Sequence, residues 1–142
     1  MSGDSGAEIA VLLVEDEPDL REVLAEYLER EIERFVVRTA ADATEGEAIF
    51  AETGVDCIIA DYDMPDLTGI DFLETVRASH PDLPFILYTG KGSEAVASEA
   101  VKAGVTDYFV KGTGTEQYGR LANRIENAVE SYRATEQLAA AE

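Results

Sequence analysis

Carboxylate, hydroxyl and amine side chains follow four of the apolar segments in this sequence. A turn after a strand needs only one Asx residue and a glycine, so the carboxylates of Asp61 and Asp63 exceed what a turn requires. Such a surplus of acid indicates a site. The segments and the residues that follow them are IAVLLV (9–14) with Glu15 and Asp16, CIIA (57–60) with Asp61, FILY (85–88) with Thr89, and DYFV (107–110) with Lys111.

Three carboxylates held close together cannot all stay ionised cheaply, because like charges raise each other's pKa. A hard divalent cation removes the conflict, and Mg²⁺ prefers one or two carboxylates together with water and a phosphate oxygen. Lys111 would add a flexible point charge, and Thr89 would donate one hydrogen bond. These residues predict a Mg²⁺-dependent phosphoryl site with Asp61 as the acceptor, since carboxylates form aspartyl-phosphates.

Five predicted strands alternate with five predicted helices, and this alternation would position the site. It predicts an α/β fold with a parallel sheet covered on both faces and right-handed crossovers. Ligands of such sheets bind beyond the carboxyl ends of the strands, where the acids, the hydroxyl and the amine would meet. The predicted strands are residues 9–14, 35–39, 57–60, 85–88 and 107–110, and the predicted helices run from Pro18 to about Glu33, through Ala48 and Ile49 to Thr53, over Ile70, Leu73 and Val76 to near Pro81, from Ser93 to Ala103, and from about Thr115 onward.

Length and composition fit one globular domain without a membrane span. A chain of 142 residues can bury a sizeable core, and a hydrophobic content of 46% argues against disorder. Every apolar run is far shorter than the roughly 20 residues that cross a bilayer, and the acidic start MSGDSGAE is not a secretory signal. The single cysteine, Cys57, lies in an apolar run, which fits a buried thiol in a cytoplasmic protein.

The net charge of −19 disfavours direct contact with nucleic acid, because phosphate binding requires a basic face. Two interpretations of this charge remain open. The chain is either an ordinary acidic protein with solvated faces, or a halophile protein whose self-repulsion is screened where molar salt shortens the Debye length to about 3 Å. We favour the halophile interpretation, because a charge this far from zero is a known adaptation to high salt.

Four motifs, taken in order, resemble those of the response-regulator receiver domains, the CheY-like family. The resemblance covers about residues 8–132. It implies a (βα)5 flavodoxin-like sheet with strand order 2-1-3-4-5. The motifs are LLVEDE (12–17), DYDMPDLTG (61–69), YTG (88–90) and YFVK (108–111).

The resemblance also implies a role for each site residue. Asp61 would be the phosphoacceptor, and Mg²⁺ would be the cofactor. The plain alternative for Tyr108 is a core aromatic on a strand. The implied roles are direct binding of Mg²⁺ by Asp16, binding through water by Glu15, a backbone carbonyl ligand from Asp63, phosphoryl stabilisation by Thr89 and Lys111, an aromatic switch at Tyr108, and tuning of the phosphoryl lifetime by Asp63 and Lys91.

A receiver domain implies a sensor histidine kinase or a phosphotransfer protein as the phosphoryl donor. The switching surface would be formed by the fourth helix, the fifth strand and the fifth helix. Residues 1–132 would form the receiver domain, and residues 133–142 a helical extension. That extension would be a frayed end or a connecting coil, leading to a covalently linked output domain or forming a weak homodimer.

The chain departs from the family pattern at Gly112, where the family usually has a proline in a cis bond. A cis bond to a non-proline residue costs about 2.5–4 kcal/mol, so a trans or more mobile loop is expected over KGTGT (111–115). Glu15 also stands where Asp is more frequent, which lengthens the reach to a metal.

Two other function classes compete with a receiver. A haloacid-dehalogenase-type phosphatase also places DxD after a strand, followed by Thr or Ser and then Lys. It is disfavoured because an acidic pair precedes the DxD, none follows Lys111, and the chain leaves little room for a cap. A passive flavin-binding domain is weaker still, since acid would line the ligand crevice.

Overall fold

The computed structural model describes residues 7–90, 93–112 and 114–141, in which strands and helices alternate along the chain. The strands are β1 (Ile9–Val14), β2 (Phe35–Ala40), β3 (Cys57–Ala60), β4 (Phe85–Thr89) and β5 (Asp107–Val110). The helices are α1 (Pro18–Glu31), α2 (Ala43–Thr53), α3 (Gly69–Ser79), α4 (Glu94–Ala103) and α5 (Glu116–Ala141).

The strands form one parallel sheet in the order β2-β1-β3-β4-β5, which confirms the predicted α/β class and strand order. Val14, at the end of β1, is in register with Ala40 of β2 and Ala60 of β3. Thr89, at the end of β4, is in register with Val110 of β5. Because all neighbours are parallel, the carboxyl ends of the strands share one edge of the sheet.

Alternate residues of β1 face opposite sides of the sheet, and both sides are buried. One set packs in the cluster covered by α1 and α5, and the other packs in the cluster covered by α2 and α3. A strand covered on both faces has no polar side to present, which explains the continuous apolar run in the sequence. The two sets are Ile9, Val11 and Leu13 on the first side, and Leu12 and Val14 on the second.

Cys57 lies fully buried in the first of these clusters, as predicted. Burial raises the pKa of its thiol, because the thiolate would lose its solvation. A buried neutral thiol is unreactive, so Cys57 serves as a core residue.

Several helices begin and end with the caps that their sequences predict. The Ser93 side chain accepts a hydrogen bond from the Val96 N–H and opens α4, while Gly104 follows α4 with a left-handed φ of 92°. Thr68 and Asp71 form a reciprocal capping box at the start of α3. This last cap fixes the direction in which the chain leaves the loop after β3.

Two helices end slightly earlier than the sequence predicts. α1 stops at Glu31 because Ile32 is already extended, with φ −121° and ψ 110°. α3 stops at Ser79, because Pro81 disfavours the α conformation for the residue before it, His80. Neither difference moves a strand end.

α5 is a continuous helix of 26 residues, about 39 Å long at 1.5 Å per residue. Its first half buries Leu121, Ile125 and Val129 against the sheet. Tyr132 then packs against the opposite cluster. The structure therefore continues the helix through most of residues 133–142, for which a frayed end was one of the alternatives left by the sequence. Each helix in the described part of the chain is too short or too polar to span a membrane.

Candidate functional site

The acids at the carboxyl edge of the sheet are held by their backbones to neighbouring strands. The Glu15 N–H donates to Ala40 O at 3.0 Å, and the Asp61 N–H donates to Val14 O at 3.1 Å. The ladder thus continues one residue past each strand, which fixes where these side chains start. Glu15 is 2% exposed and Asp61 is 8% exposed, whereas Asp16 is exposed.

Lys111 joins the two buried acids. Its Nζ lies 2.8 Å from Glu15 Oε1 and 2.9 Å from Asp61 Oδ2. Its backbone N–H donates to Thr89 O at 2.8 Å, which ties the segment after β5 to the end of β4. The predicted convergence of Glu15, Asp61 and Lys111 is therefore present in the structure.

Burial and charge act in opposite directions on this cluster. Burial raises the pKa of Glu15 because it penalises the carboxylate, and the hydrogen bond from Lys111 only partly offsets this. Burial opposes the charge on Lys111, but the hydrogen bonds and charges of Glu15 and Asp61 outweigh it and raise the pKa of Lys111. One ammonium shared by two buried carboxylates leaves the cluster with surplus negative charge.

Glu15, Asp16 and Asp61 each offer an oxygen ligand atom, and these atoms lie within 4.8 Å of one another. Hard oxygen donors at this spacing suit Mg²⁺, which binds through one or two carboxylates and retains water. The surplus negative charge and the exposed carboxylate of Asp16 agree with a cation that is reached from solvent. The donor set therefore fits the predicted magnesium site.

The loop between β3 and α3 curls tightly around Asp61. The Asp63 N–H points at Asp61 Oδ1 at 3.4 Å, and the Gly69 N–H donates to Tyr62 O at 2.9 Å. A Cβ at Gly69 would lie 2.3 Å from Asp61 O, so a side chain there would displace the backbone of Asp61. Gly69 is the last residue of the motif DYDMPDLTG, and no role for it was predicted from the sequence.

Asp66 fastens the same loop to the start of α2. Its carboxylate accepts hydrogen bonds from the Thr44 hydroxyl and from the backbone N–H groups of Ala43 and Thr44. The hydrogen bond from the Thr44 side chain is the main reason that the pKa of Asp66 is lowered to about 2. Asp66 therefore remains ionised and keeps the loop in place at any ordinary pH.

The remaining predicted residues take different positions around the site. Thr89 is fully buried at the end of β4, next to the strand that carries Asp61. Tyr108 is half-buried on β5 and packs against the cluster of apolar residues under α4. Asp63 is exposed. Lys91 lies outside the described residues.

Gln117 was not predicted from the sequence to belong to the site. Gln117 is 6% exposed, accepts a hydrogen bond from the Tyr88 hydroxyl, and bonds to the backbone of Gly112 and Gly114. A polar side chain shortly after a glycine-rich loop is a weak signal in the sequence, because such residues usually face solvent.

The described residues contain no cis peptide bond, so the link between Lys111 and Gly112 is trans, as expected.

Arg21 also reaches the site from the first turns of α1. Its Nη1 donates to Glu15 O at 2.7 Å, which helps to hold the chain where it leaves β1. The sequence offered no means of predicting this contact, since an arginine on a helix is most often solvated.

The sequence of the chain is similar to one protein family and to individual regulators. Residues 11–125 match the profile of the family described as the response regulator receiver domain. The chain is 32% identical over 117 residues to the C4-dicarboxylate transport transcriptional regulatory protein DctD of Rhizobium meliloti, covering 82% of this chain and 25% of DctD. It is 36% identical over 106 residues to the photosynthetic apparatus regulatory protein RegA of Cereibacter sphaeroides, covering 75% of this chain and 56% of RegA.

Solved structures resemble the chain over most of its length. A response regulator receiver domain protein from Clostridium thermocellum superposes with a TM-score of 0.80 at 29% identity, covering 89% of this chain and 98% of the other. The chemotaxis response regulator CheY4 of Vibrio cholerae gives a TM-score of 0.74 at 27% identity, covering 84% of this chain and 99% of the other.

Proposed function

The chain belongs to the response regulator receiver domain family, and from this premise we propose that Asp61 accepts a phosphoryl group in the presence of Mg²⁺. A receiver domain is a signalling module of two-component systems, so the acceptor serves as a switch.

One observation carries the proposal. Lys111 Nζ contacts Glu15 and Asp61 together, within 2.9 Å of each, while Asp16 completes an acidic group beside them. Burial of a charged carboxylate is costly unless the charge is paired, so a carboxylate that served only a turn would stay exposed to water. Asp61 is instead buried after a central strand and paired with Lys111, and a phosphoryl-accepting carboxylate needs both the burial and the pairing.

The transfer step forms one bond and breaks another. A carboxylate oxygen of Asp61 attacks phosphorus, the bond from phosphorus to the donor nitrogen breaks, and the donor imidazole leaves with the electron pair. When bound at Glu15 and Asp16, Mg²⁺ would supply positive charge beside the transferring oxygens. Lys111 would exchange its contact with Asp61 Oδ2 for one with a phosphoryl oxygen.

The response would pass through Thr89 and Tyr108. Thr89 lies on the strand next to β3, which precedes Asp61, and Tyr108 packs against the apolar cluster under α4 that contains Leu87 and Val96. If the Thr89 hydroxyl follows the phosphoryl group, the segment from β4 to α4 moves inward, and Tyr108 can occupy the space that is vacated. The surface formed by α4, β5 and α5 would then shift between two populations.

The donor would be a sensor histidine kinase or a phosphotransfer protein. The chain spans about a quarter of DctD and about half of RegA, which leaves room in those proteins for further domains. We propose that α5 leads to such an output domain or to a weak homodimer. We also propose that the protein acts in the cytoplasm, where the kinase would present its phosphohistidine.

Labelling of the acceptor tests the proposed function. Acetyl phosphate or beryllofluoride with Mg²⁺ should modify the wild type and leave Asp61→Asn unmodified, as measured by intact-protein mass spectrometry and by fluorine resonance. Asp82→Asn is the matched control, because it makes the same change at an exposed carboxyl before β4, at the opposite end of the sheet from the site, and should retain labelling. Equal labelling of Asp61→Asn would refute the assignment.

A second assay separates the receiver from the phosphatase that the sequence left open. The wild type should show no sustained turnover of a phosphate-ester substrate under conditions that label Asp61. Multiple turnovers that are lost in Asp61→Asn would assign the chain to the phosphatase class instead.

A further inference from the structure

Gln117 lies in the first turn of α5, and its side chain folds back toward the loop that follows Lys111. The amide is 6% exposed, which is unusual for a glutamine at a helix start. Its hydrogen bonds go to one side chain and to the loop backbone. They are Tyr88 Oη to Gln117 Oε1, Gly112 N to Gln117 Oε1 at 2.8 Å, Gln117 Nε2 to Gly112 O at 2.8 Å, and Gln117 Nε2 to Gly114 O at 2.9 Å.

These bonds use the full capacity of the amide. A primary amide has two lone pairs on its oxygen and two N–H groups. The Gln117 oxygen accepts two hydrogen bonds, and its nitrogen donates to two carbonyl oxygens. Gly112 is bound through both its N–H and its C=O, much as a strand binds its neighbour. A glycine loses more conformational entropy than any other residue when it is ordered, so the loop depends on such external bonds.

Tyr88 connects the same amide to the site. Its ring is 2% exposed on β4, and Lys111 Nζ lies 5.7 Å from the ring centroid, within range of a cation–π contact. Its hydroxyl donates to Gln117. The residue that touches the Lys111 ammonium is therefore also bonded to the residue that holds the Lys111 loop.

We infer that Gln117 is a positioning residue that, with Tyr88, fixes the backbone after Lys111 and so places the ammonium between Glu15 and Asp61. The inference rests on the proposed function, because the benefit of the placement is contact with a phosphoryl oxygen. Within the described part of the chain, the backbone of Lys111 is tied to the sheet by the hydrogen bond from its N–H to Thr89 O. Gln117 supplies the second anchor, one residue further along the chain.

A purely structural role for Gln117 makes a different prediction from a positioning role. A helix cap would stabilise the fold and affect metal and phosphoryl binding alike. A residue that places Lys111 affects the affinity for the phosphoryl group, which the ammonium contacts. It leaves the affinity for Mg²⁺ unreduced, because the protein ligands of Mg²⁺ lie at the ends of β1 and β3. The ratio of the two affinities therefore separates the roles.

The test uses Gln117→Met, which keeps the length of the side chain and removes every hydrogen bond. Beryllofluoride affinity at saturating Mg²⁺ should fall by about tenfold to a hundredfold, since a misplacement of about 1 Å can cost that much. The Mg²⁺ affinity measured without beryllofluoride should stay equal to that of the wild type or become tighter. Gln137→Met, at the chain's other glutamine on the exposed end of α5, is the matched control and should change neither affinity.

The double variant Tyr88→Phe with Gln117→Met keeps the test valid if the single variant is unstable, because it leaves no buried hydroxyl without a partner. Hydrogen exchange at the Gly112 amide, followed by NMR, gives a readout that needs no phosphoryl group. It should accelerate in both variants while the amides of β1 and β3 keep their protection. Unchanged beryllofluoride affinity in a folded variant, or equal losses of beryllofluoride and Mg²⁺ affinity, would overturn the inference.

The failure of the proposed function has a different signature. If the wild type itself binds no beryllofluoride, the phosphoacceptor assignment fails. Gly112 exchange then decides alone whether Gln117 holds the loop, and unaltered exchange in Gln117→Met would overturn the positioning role as well.

Discussion

At the scale of single residues, the site is built on an imbalance between buried acids and one amine. Lys111 contacts both Glu15 and Asp61, yet burial still raises the pKa of Glu15. Burial therefore makes the Glu15 carboxylate costly at the carboxyl edge of the sheet, and the charge of Asp61 adds to that cost. A cation bound there would offset the cost and couple occupancy of the site to the stability of the fold.

The raised pKa of Glu15 predicts a pH dependence of stability. Between its ordinary pKa of 4.5 and the raised value, the folded protein holds this proton more tightly than the unfolded chain does. The Glu15 contribution to the free energy of unfolding therefore falls as pH rises through that window and is level above it. Glu15→Gln lacks this contribution. The free energy of unfolding of the wild type minus that of Glu15→Gln should therefore decrease between pH 4 and pH 8, as measured by urea unfolding without Mg²⁺.

Asp66→Asn is the contrasting control for this prediction. The pKa of Asp66 is lowered to about 2, chiefly by the hydrogen bond from Thr44. Its stabilising contribution is complete above the ordinary value of 3.8 and is lost as pH falls toward the lowered pKa. The difference between wild type and Asp66→Asn should then be flat from pH 4 to 8. A flat or rising difference for Glu15→Gln would contradict the assigned burial effect.

At the scale of elements, the end of α5 returns to the amino edge of the sheet. Arg133 Nη2 donates to Glu8 O at 2.7 Å and lies 3.1 Å from Asp56 Oδ2. Asp56 Oδ2 also accepts the Ala10 N–H at 2.8 Å, just where β1 begins. These bonds link α5 to the starts of β1 and β3, at the opposite end of the sheet from the site.

This link predicts that a chain cut after Tyr132 is less stable than the full chain. Arg133→Met should reproduce most of the loss, about 1 kcal/mol, because it removes a charge-assisted hydrogen bond while keeping an apolar stem. Urea unfolding measures the loss, and faster exchange of the Ala10 amide locates it. Arg120→Met, on an exposed part of α5, is the control and should change stability by less than about 0.5 kcal/mol.

The same experiment bears on the division of the chain into residues 1–132 and 133–142. If the truncated chain and Arg133→Met both match the wild type, the extension is independent of the receiver domain, as the sequence predicted. If both are weaker, the boundary lies at least one residue later. Sedimentation of both lengths with and without beryllofluoride would show whether α5 also pairs two chains.

At the scale of the whole molecule, charge is the dominant feature. The chain has 30 acidic and 11 basic residues, which gives the net charge of −19. Several arginines are already committed to ion pairs, such as Arg34 with Glu126 and Glu130, and Arg124 with Asp107. One-to-one pairing cannot neutralise the remaining acids, so the folded chain repels itself more strongly than the expanded unfolded chain.

Salt should therefore stabilise the protein over a wide range. We predict that the melting temperature rises with KCl from about 0.1 M to molar concentrations, as the Debye length falls from about 10 Å to about 3 Å. Scanning calorimetry at constant pH measures the rise. Mg²⁺ at constant ionic strength should add a further increment in the wild type and a smaller one in Asp61→Asn. A melting temperature that is flat across this range would count against a halophilic origin.

Local patterns in the sequence specify the sheet and place the acids at one edge of it. Apolar runs bounded by turn residues specify strands, and alternation with helices specifies a parallel sheet with all carboxyl ends on one edge. Residues that directly follow such runs must then meet, which is why Glu15, Asp61, Thr89 and Lys111 were predictable from local pattern. The family motifs added the strand order and the roles.

The tertiary structure decided which side chains hold that edge in place. Gln117 turns toward Gly112, Arg21 toward Glu15, and Arg133 toward Glu8. Each pair joins a helix to a segment that flanks a strand, and its geometry depends on how the helices dock on the sheet. Hydrophobic burial sets that docking, and the hydrophobic effect is not directional. The local sequence around a polar residue near a helix end is therefore the same whether its side chain faces solvent or a loop. Only the packed chain determines which of these it does.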